Sequence, residues 1–401
     1  MINGEKKSQL LSGIRVLDLS RIMSGPYCTA MLADLGAEVI KIEIPDVGDE
    51  SRSFGPYANG ESSYFMLLNR NKKSVTVNMK SVEGRNLINA LVPKCDVLVE
   101  NFRPGVMSRL NLDEPSVRKI NSKIIYSSIS GFGQDSPFRD WPAFDLVIQA
   151  MSGLMSLTGP KGGPATAIGE SMADVSTGIF AAFGIVAALF DRERSGQGCL
   201  IDVAMLDSMM AIQLTGLARQ LYNNDTPKPI GNRHPVTYPV DSFPTTSGDI
   251  VMVCFSDSTF AALAELMGNR SLAADKRFKT NLARNENEDL LRDIITNWTH
   301  DQSQDIVIKA LLNAGIPAAP VWDLKQLVQS EHTKQRKLIS QGKHQILGKV
   351  PIVPQPVRFS HTAPVERVTT PTLGEHTEDV LQNLLNVDQD MLTTLRRKKV
   401  I

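Results

Sequence analysis

The strongest constraint on this chain is an alternation, from Ile14 to Ile129, of short aliphatic runs with amphipathic stretches. Ile14-Arg-Val-Leu-Asp-Leu19 reads as a strand. Ser24-Gly-Pro26 then opens a helix carrying Met31, Leu32 and Leu35, which Gly36 ends before the strand Glu38-Val-Ile-Lys-Ile42. A helix over Lys80–Lys94 leads into the strand Asp96-Val-Leu-Val99, and Lys123–Ile129 is a further strand. Strands this aliphatic, separated by helices, predict a parallel sheet covered on both faces. Right-handed crossovers then give an α/β, doubly wound large domain.

From Ala143 the pattern becomes helical, with helices expected over Phe144–Met155, Met172–Arg194 and Leu206–Tyr222 and a strand at Ile201–Met205. The polar, proline-rich stretch from Asn223 through Pro229 to His234-Pro235 suits a linker. Beyond it a hairpin (Ser242–Thr246, Asp249–Cys254) and helices at Ser258–Met267, Glu286–His300 and Gln302–Ala314 predict a smaller α+β domain. Extended proline-rich segments follow from Gln341, then a helix at Thr377–Leu385. The expected division is residues 1–224 for the first part of the large domain, 225–330 for the small one, and 331–401 for a return to the first.

The 401 residues include 43 basic and 43 acidic side chains, so bulk charge gives no reason to expect nucleic acid or an anionic membrane as partner. The apolar run Ile179–Phe190 is too short to span a bilayer, and the polar start MINGEKKSQLLSG lacks a secretory core. Cys28, Cys95, Cys199 and Cys254 form no CxxC pair, so they read as reduced thiols of a cytoplasmic protein with no metal site.

The carboxyl ends of a doubly wound sheet are where a nucleotide-like ligand binds. The turn after the first strand, Ser20–Pro26, has no GxGxxG, and the chain has no Walker, GxSxG or HExxH motif. The loop Asn101-Phe-Arg-Pro-Gly105 lies at a strand end, where Arg103 and Arg109 meet either solvent or phosphate. Ser171-Met-Ala-Asp174 fits a capping-box variant at the start of a long helix. Asp174 there either serves the helix dipole or, flanked by Ala173, Ser176, Gly178 and Ala181, admits a ligand to its carboxylate.

Taken in order, Leu11–Ser20, Ser24-Gly-Pro26, Leu35–Glu43, Gly48-Asp49, Asn69–Ser74, Glu100–Gly105, Ser130–Gln134, Ala173-Asp174 and Leu373–Thr377 resemble the class III CoA-transferase family. That family includes formyl-CoA:oxalate, carnitine and succinyl-CoA:glutarate transferases and 2-methylacyl-CoA racemases. The resemblance implies a Rossmann-like large domain built from both chain ends with a small domain between, two chains interlocked as a homodimer, with Asp174 as nucleophile and coenzyme A as substrate, no other cofactor being needed. It implies CoA contacts at Ile22, Met23, Val77, Asn78, Met79, Lys80, Asn101, Phe102, Arg103, Arg109, Ser130, Gly131, Phe132 and Gly133. The substrates expected are an acyl-CoA donor of succinyl type and a small acid, with the glutarate branch as the nearest match. Arg233, then His234, are the expected partners of a second carboxylate on the acceptor. The oxalate enzyme has glutamine at the position of Met23, arginine at that of Ile44, and a glycine-run loop absent here. The racemases have histidine where this chain has Phe144, which cannot move a proton. A non-catalytic CoA-binding protein is the other alternative, which the retained Asp174 disfavours.

Overall fold

The computed structural model describes residues 9–362 and 369–401. Its main sheet has six parallel strands: β1 (Arg15–Asp18), β2 (Glu38–Glu43), β3 (Lys72–Thr76), β4 (Val97–Glu100), β5 (Ile125–Ser130) and β6 (Leu200–Ala204). They lie in the order β3-β2-β1-β4-β5-β6, so the winding reverses between β1 and β4. Ligands of such sheets bind at that reversal.

Successive strand residues point to opposite faces, which is why the strands read as continuous aliphatic runs. Val16, Val39, Val97 and Ile125 face α1 (Ser24–Asp34) and the later long helix, through Cys28, Leu32, Ala181 and Ile185. Leu17, Ile40, Leu98 and Tyr126 face the other way, toward Ile88 and Leu91 of α2 (Val82–Leu91). Helices α3 (Asp145–Met151), α4 (Met172–Ser195) and α5 (Met205–Ala211) follow. Gly178 lets α4 come against α1: a methyl group there would lie 2.7 Å from the Ser24 carbonyl oxygen and 3.3 Å from the Cys28 nitrogen.

Strand β3 is not visible in the sequence, because only Val75 of its buried residues is apolar, Lys72, Ser74 and Thr76 being polar. Lys72 is fully buried and its ammonium lies 3.0 Å from Asp18 Oδ2 and 2.8 Å from Asn69 Oδ1. Other expected elements are shorter. The helix expected over Leu206–Tyr222 breaks at Gln213, and that expected over Phe144–Met155 ends at Met151.

The chain divides into two compact units. The first comprises residues 1–155, 167–224 and 336–401; the second comprises Ser156–Thr166 and Asp225–Gln335. The segment Ser156–Thr166, expected in the first domain, packs with the second instead. Gly231 N–H donates to the Gly159 carbonyl, and Lys161 pairs with Glu288 at 2.8 Å and Asp289 at 2.9 Å. That unit is built on the antiparallel sheet of β7 (Val240–Thr245), β8 (Gly248–Val253) and β9 (Ala318–Pro320). It buries Phe243, Ile250, Phe260, Leu291 and Leu311. In the last segment, the extended stretch expected from Gln341 contains a hairpin of β10 (Ser340–His344) and β11 (Gly348–Ile352). Helix α6 (Thr377–Leu385) then sets Val380 against the core of the main sheet.

Removing one member of a buried ion pair strands the other charge at a cost of about 3–5 kcal/mol. Lys72→Met is therefore expected to lower the unfolding free energy by about that much, read as a shift of the denaturant midpoint at constant slope. A loss below about 1 kcal/mol would mean that water reaches Asp18.

Candidate active site

The site begins where β1 ends. The turn Ser20–Met23 joins β1 to α1, and Ile22 in it has φ +67°, a conformation that costs a β-branched residue of order 1–3 kcal/mol. Several buried groups hold it there. Ile22 N–H donates to both oxygens of Asp49, at 3.1 and 3.2 Å. Lys41 bonds Asp49 at 2.8 Å and the Ser20 carbonyl at 2.9 Å, fully buried. Burial works to raise the Asp49 carboxyl, but Lys41 and the Ser51 hydrogen bonds overcome it and hold it far below the usual carboxylate range. Asn101, at the end of β4, accepts from Arg21 N–H and donates to the Arg21 carbonyl, both at 2.8 Å. Asn101, expected to touch CoA, thus also clamps the β1 turn.

A second link joins the loops after β4 and β5. The buried Glu100 accepts from Phe102 N–H at 2.9 Å and from the Ser128 hydroxyl, which in turn receives Gln134 Nε2 at 2.9 Å. Burial pushes the Glu100 acid up to about 7.

These loops and the start of α4 enclose one pocket at the winding reversal. Ile22, Met23, Asn101, Phe102, Arg103, Ser130, Gly131 and Asp174 line it, as do Arg21, Ser24, Arg139, Trp141 and Phe144, which the sequence did not single out as contacts. The loop carrying Arg139 and Trp141 is stiffened by aromatic packing of Phe132, Phe138 and Trp141, with ring centroids 4.8–6.3 Å apart.

Asp174 lies in the first turn of α4. Burial and the neighbouring Asp145 charge raise its carboxyl to about 6, against hydrogen bonds from the Ser24 hydroxyl and backbone amide. It is therefore mostly ionised at neutral pH. Tyr64, on the short helix Ser63–Leu68, is raised to about 12 by burial and by Asp174. The expected cap is corrected: Ser171 makes no side-chain cap bond. Asp145 Oδ1, at the start of α3, accepts from Ala173 N–H at 2.7 Å and Asp174 N–H at 3.3 Å instead.

Other expected contacts lie elsewhere. The side chains of Val77 and Phe132 are buried in apolar clusters, outside the pocket lining, and Met79 packs against the core. Lys80 is exposed beyond β3, its N–H bonded to Asn78 Oδ1, while Asn78 N–H pairs with the Val400 carbonyl. Arg109 ends the short helix Val106–Arg109, outside the pocket lining, and Gly133 donates to Ser130 Oγ at 2.9 Å. Arg233 is not a free cation. It is ion-paired with Glu288, donates to Asn285 Oδ1 at 2.7 Å and lies over the Tyr238 ring, so its charge is spent inside the second unit. His234 Nδ1 accepts from Val236 and Thr237 N–H in a local turn.

A sheet of this order, with loops converging on a carboxylate at the reversal, defines a ligand-binding α/β enzyme fold. The chain belongs to CoA-transferase family III, whose sequence pattern matches residues 11–377, and it is a CoA-transferase of that family. It is 39% identical over 365 residues to acetyl-CoA:oxalate CoA-transferase of Acetobacter aceti, covering 90% of this chain and 92% of the relative. It is 36% identical to succinyl-CoA:glutarate CoA-transferase of Mus musculus (98% and 90% covered) and 34% identical to succinyl-CoA–D-citramalate CoA-transferase of Chloroflexus aurantiacus, over the full length of both. The crystal structure of a CAIB/BAIF family protein from Brucella suis superposes with a TM-score of 0.84 at 34% identity, covering 93% of this chain and 99% of that one.

Proposed function

We propose that this enzyme transfers CoA from an acyl-CoA donor of succinyl type to a small dicarboxylic acid, by covalent catalysis on Asp174. The observation that supports this most directly is the Asp174 carboxyl group, in the first turn of α4, lining a pocket at the sheet reversal. Asp174 attacks the donor thioester carbonyl; the carbon–sulfur bond breaks, giving an aspartyl anhydride and CoA thiolate. The thiolate attacks the aspartyl carbonyl, releasing the donor acid and leaving an aspartyl-CoA thioester. The acceptor carboxylate attacks that thioester, and the steps run in reverse. Each step expels a carboxylate or thiolate, so no proton need move in the exchange itself. Phe144 on the pocket wall offers no base for α-proton exchange, which sets the racemase reading aside.

Relatives named for oxalate, glutarate and D-citramalate support a dicarboxylic acceptor. Its far carboxylate needs a cation, and with Arg233 engaged the pocket offers Arg21, Arg103 and Arg139. Arg21 pairs with Glu50 and lies 5.3 Å from the Phe102 ring centroid. Arg103 is reserved for CoA by the family resemblance. Arg139 has its ion partner, Asp140, only at 3.7 Å, and we assign it to the acceptor.

The outward face of α4 bears Ile179, Phe183, Val186 and Phe190, with Phe183 72% exposed. Among the described residues α4 alone is long and apolar enough to cross a membrane. Its other face packs on α1 and the sheet and its last turn ion-pairs through Arg192 to Asp96, so a second copy of the chain is the better cover.

Three outcomes are expected. Asp174→Ala folds but loses transfer, while wild type mixed with acyl-CoA is inactivated by hydroxylamine with the mass change on Asp174; wild-type transfer falls about tenfold per unit below pH 6 as Asp174 takes up its proton. Near-normal turnover in the alanine variant would dismiss the covalent route. Arg139→Ala raises the KM for dicarboxylic acceptors, and for a succinyl-type donor whose far carboxylate takes the same place, about tenfold or more while leaving monocarboxylic acids nearly unchanged, and equal effects on both acceptor classes would remove Arg139 from the subsite. Light scattering gives about twice the 44.0 kDa chain mass, and a stable monomer would refute the dimer.

A further inference from the structure

Gln149, on α3, is 1% exposed although its side chain is a primary amide. Such a group is tolerated inside only when its donors and acceptor are satisfied. Its side-chain bonds go to the loop that precedes Asp174 and to Asp145 on its own helix. Its Oε1 accepts from Ile168 N–H at 2.9 Å, and its Nε2 donates to the Glu170 carbonyl at 3.1 Å and to Asp145 Oδ2 at 2.6 Å. The other oxygen of Asp145 holds the Ala173 and Asp174 amides at the start of α4. Gln149 thus fixes both the loop that precedes α4 and the carboxylate that caps it.

We infer that Gln149 is a positioning residue for the transfer reaction, acting through Asp145 to hold the Asp174 carboxylate in its attacking position. This rests on the reading of Asp174 as the nucleophile. No bond of Gln149 reaches the pocket, so its effect is on where Asp174 points and on which charge stands behind it. Displacement of a reacting group by about 1 Å costs on the order of a hundredfold in rate. Asp145 is the charge that Gln149 orients, and it raises the Asp174 carboxyl in addition to the effect of burial. Asp174 also has Glu170 on its own segment, Tyr64 from the short helix, and Arg21, Arg103 and Arg139 on the pocket wall. None of these except Glu170 is bonded by Gln149, and Glu170 only through its backbone carbonyl.

The test uses Gln149→Leu, which keeps the volume and removes all three bonds, and Gln149→Glu, which keeps the acceptor for Ile168 and sets a second carboxyl against Asp145. For each, kcat, the KM for acyl-CoA, the rate of hydroxylamine-sensitive labelling and the acid limb of the pH profile are measured on the full-length enzyme. Gln149→Leu is expected to label and turn over about tenfold to a hundredfold more slowly, with the donor KM within about twofold of wild type. Its acid limb moves to lower pH, because the Asp145 charge is no longer held behind Asp174. Gln149→Glu is expected to move the limb the other way, since it adds negative charge to the same pocket floor. A variant that is merely unstable loses active fraction without moving the limb. Unshifted limbs, or Gln149→Leu labelling at the wild-type rate, would overturn the proposal. Should Gln149→Leu fail to fold, the labelling rate of Gln149→Glu decides: about tenfold slower at an unchanged donor KM supports the proposal, and the wild-type rate overturns it. If wild type itself carries no label on Asp174, the nucleophile assignment fails instead, and the two failures are thereby told apart.

Discussion

The pocket depends on charges buried beneath it. Lys41 and Lys72 reach Asp49 and Asp18 under the turn that leaves β1, and both ammonium groups also bond backbone carbonyls, of Ser20 and Pro26 respectively. Burial works to raise the Asp18 carboxyl, yet the two lysines hold it below its ordinary range; Lys72 is drawn down by its own burial to about 8. Buried ion pairs add little net stability, because desolvation offsets their attraction. They are directional, however, and here they specify one path for the chain between β1 and α1. That path includes the unfavourable backbone of Ile22.

Two further polar links tie the remaining walls to this base. Asn101 joins the loop after β4 to the β1 turn by a pair of bonds to one residue's backbone. Glu100 joins that loop to the one after β5. Three strand ends therefore hold their loops by polar side chains. Glu100 does so from beneath, whereas Asn101 both clamps the β1 turn and lines the cavity beside Ile22, Phe102, Arg103 and Gly131.

Much of the sheet was legible in the sequence because β1, β2, β4 and β5 place apolar residues side by side, and the period of two is recovered in Val16 and Leu17 or Val97 and Leu98 facing opposite ways. Strand β3 was not, since a buried lysine reads as a surface residue until its partner is known. Asp174 and the loops over β1, β4 and β5 were found by resemblance, and the local pattern alone left them open. The cap on α4 was misread because Ser171 has the right spacing, whereas Asp145 lies 28 residues before the amide that it bonds. Arg233 was misread for a related reason: its partners Asn285 and Glu288 are more than fifty residues away, and sequence spacing says nothing about a cation already neutralised. Arg139 gave no sequence signal at all; the aromatic packing that presents it exists only in three dimensions.

Gly178 has a consequence for how enzymes of this kind can diverge. Without a side chain there, the backbone of α4 meets that of α1 directly, so Asp174 and Ser24 are parts of one rigid joint rather than of two independently adjustable elements. Any larger residue would separate them, and the Asp174 carboxylate would move relative to the Ser24 amide and hydroxyl that it accepts from. The opposite wall, the loop from Ser136 to Phe144, is braced instead by the packed rings of Phe132, Phe138 and Trp141 and by bonds within Ser136–Trp141, so a side chain there can change without disturbing the joint.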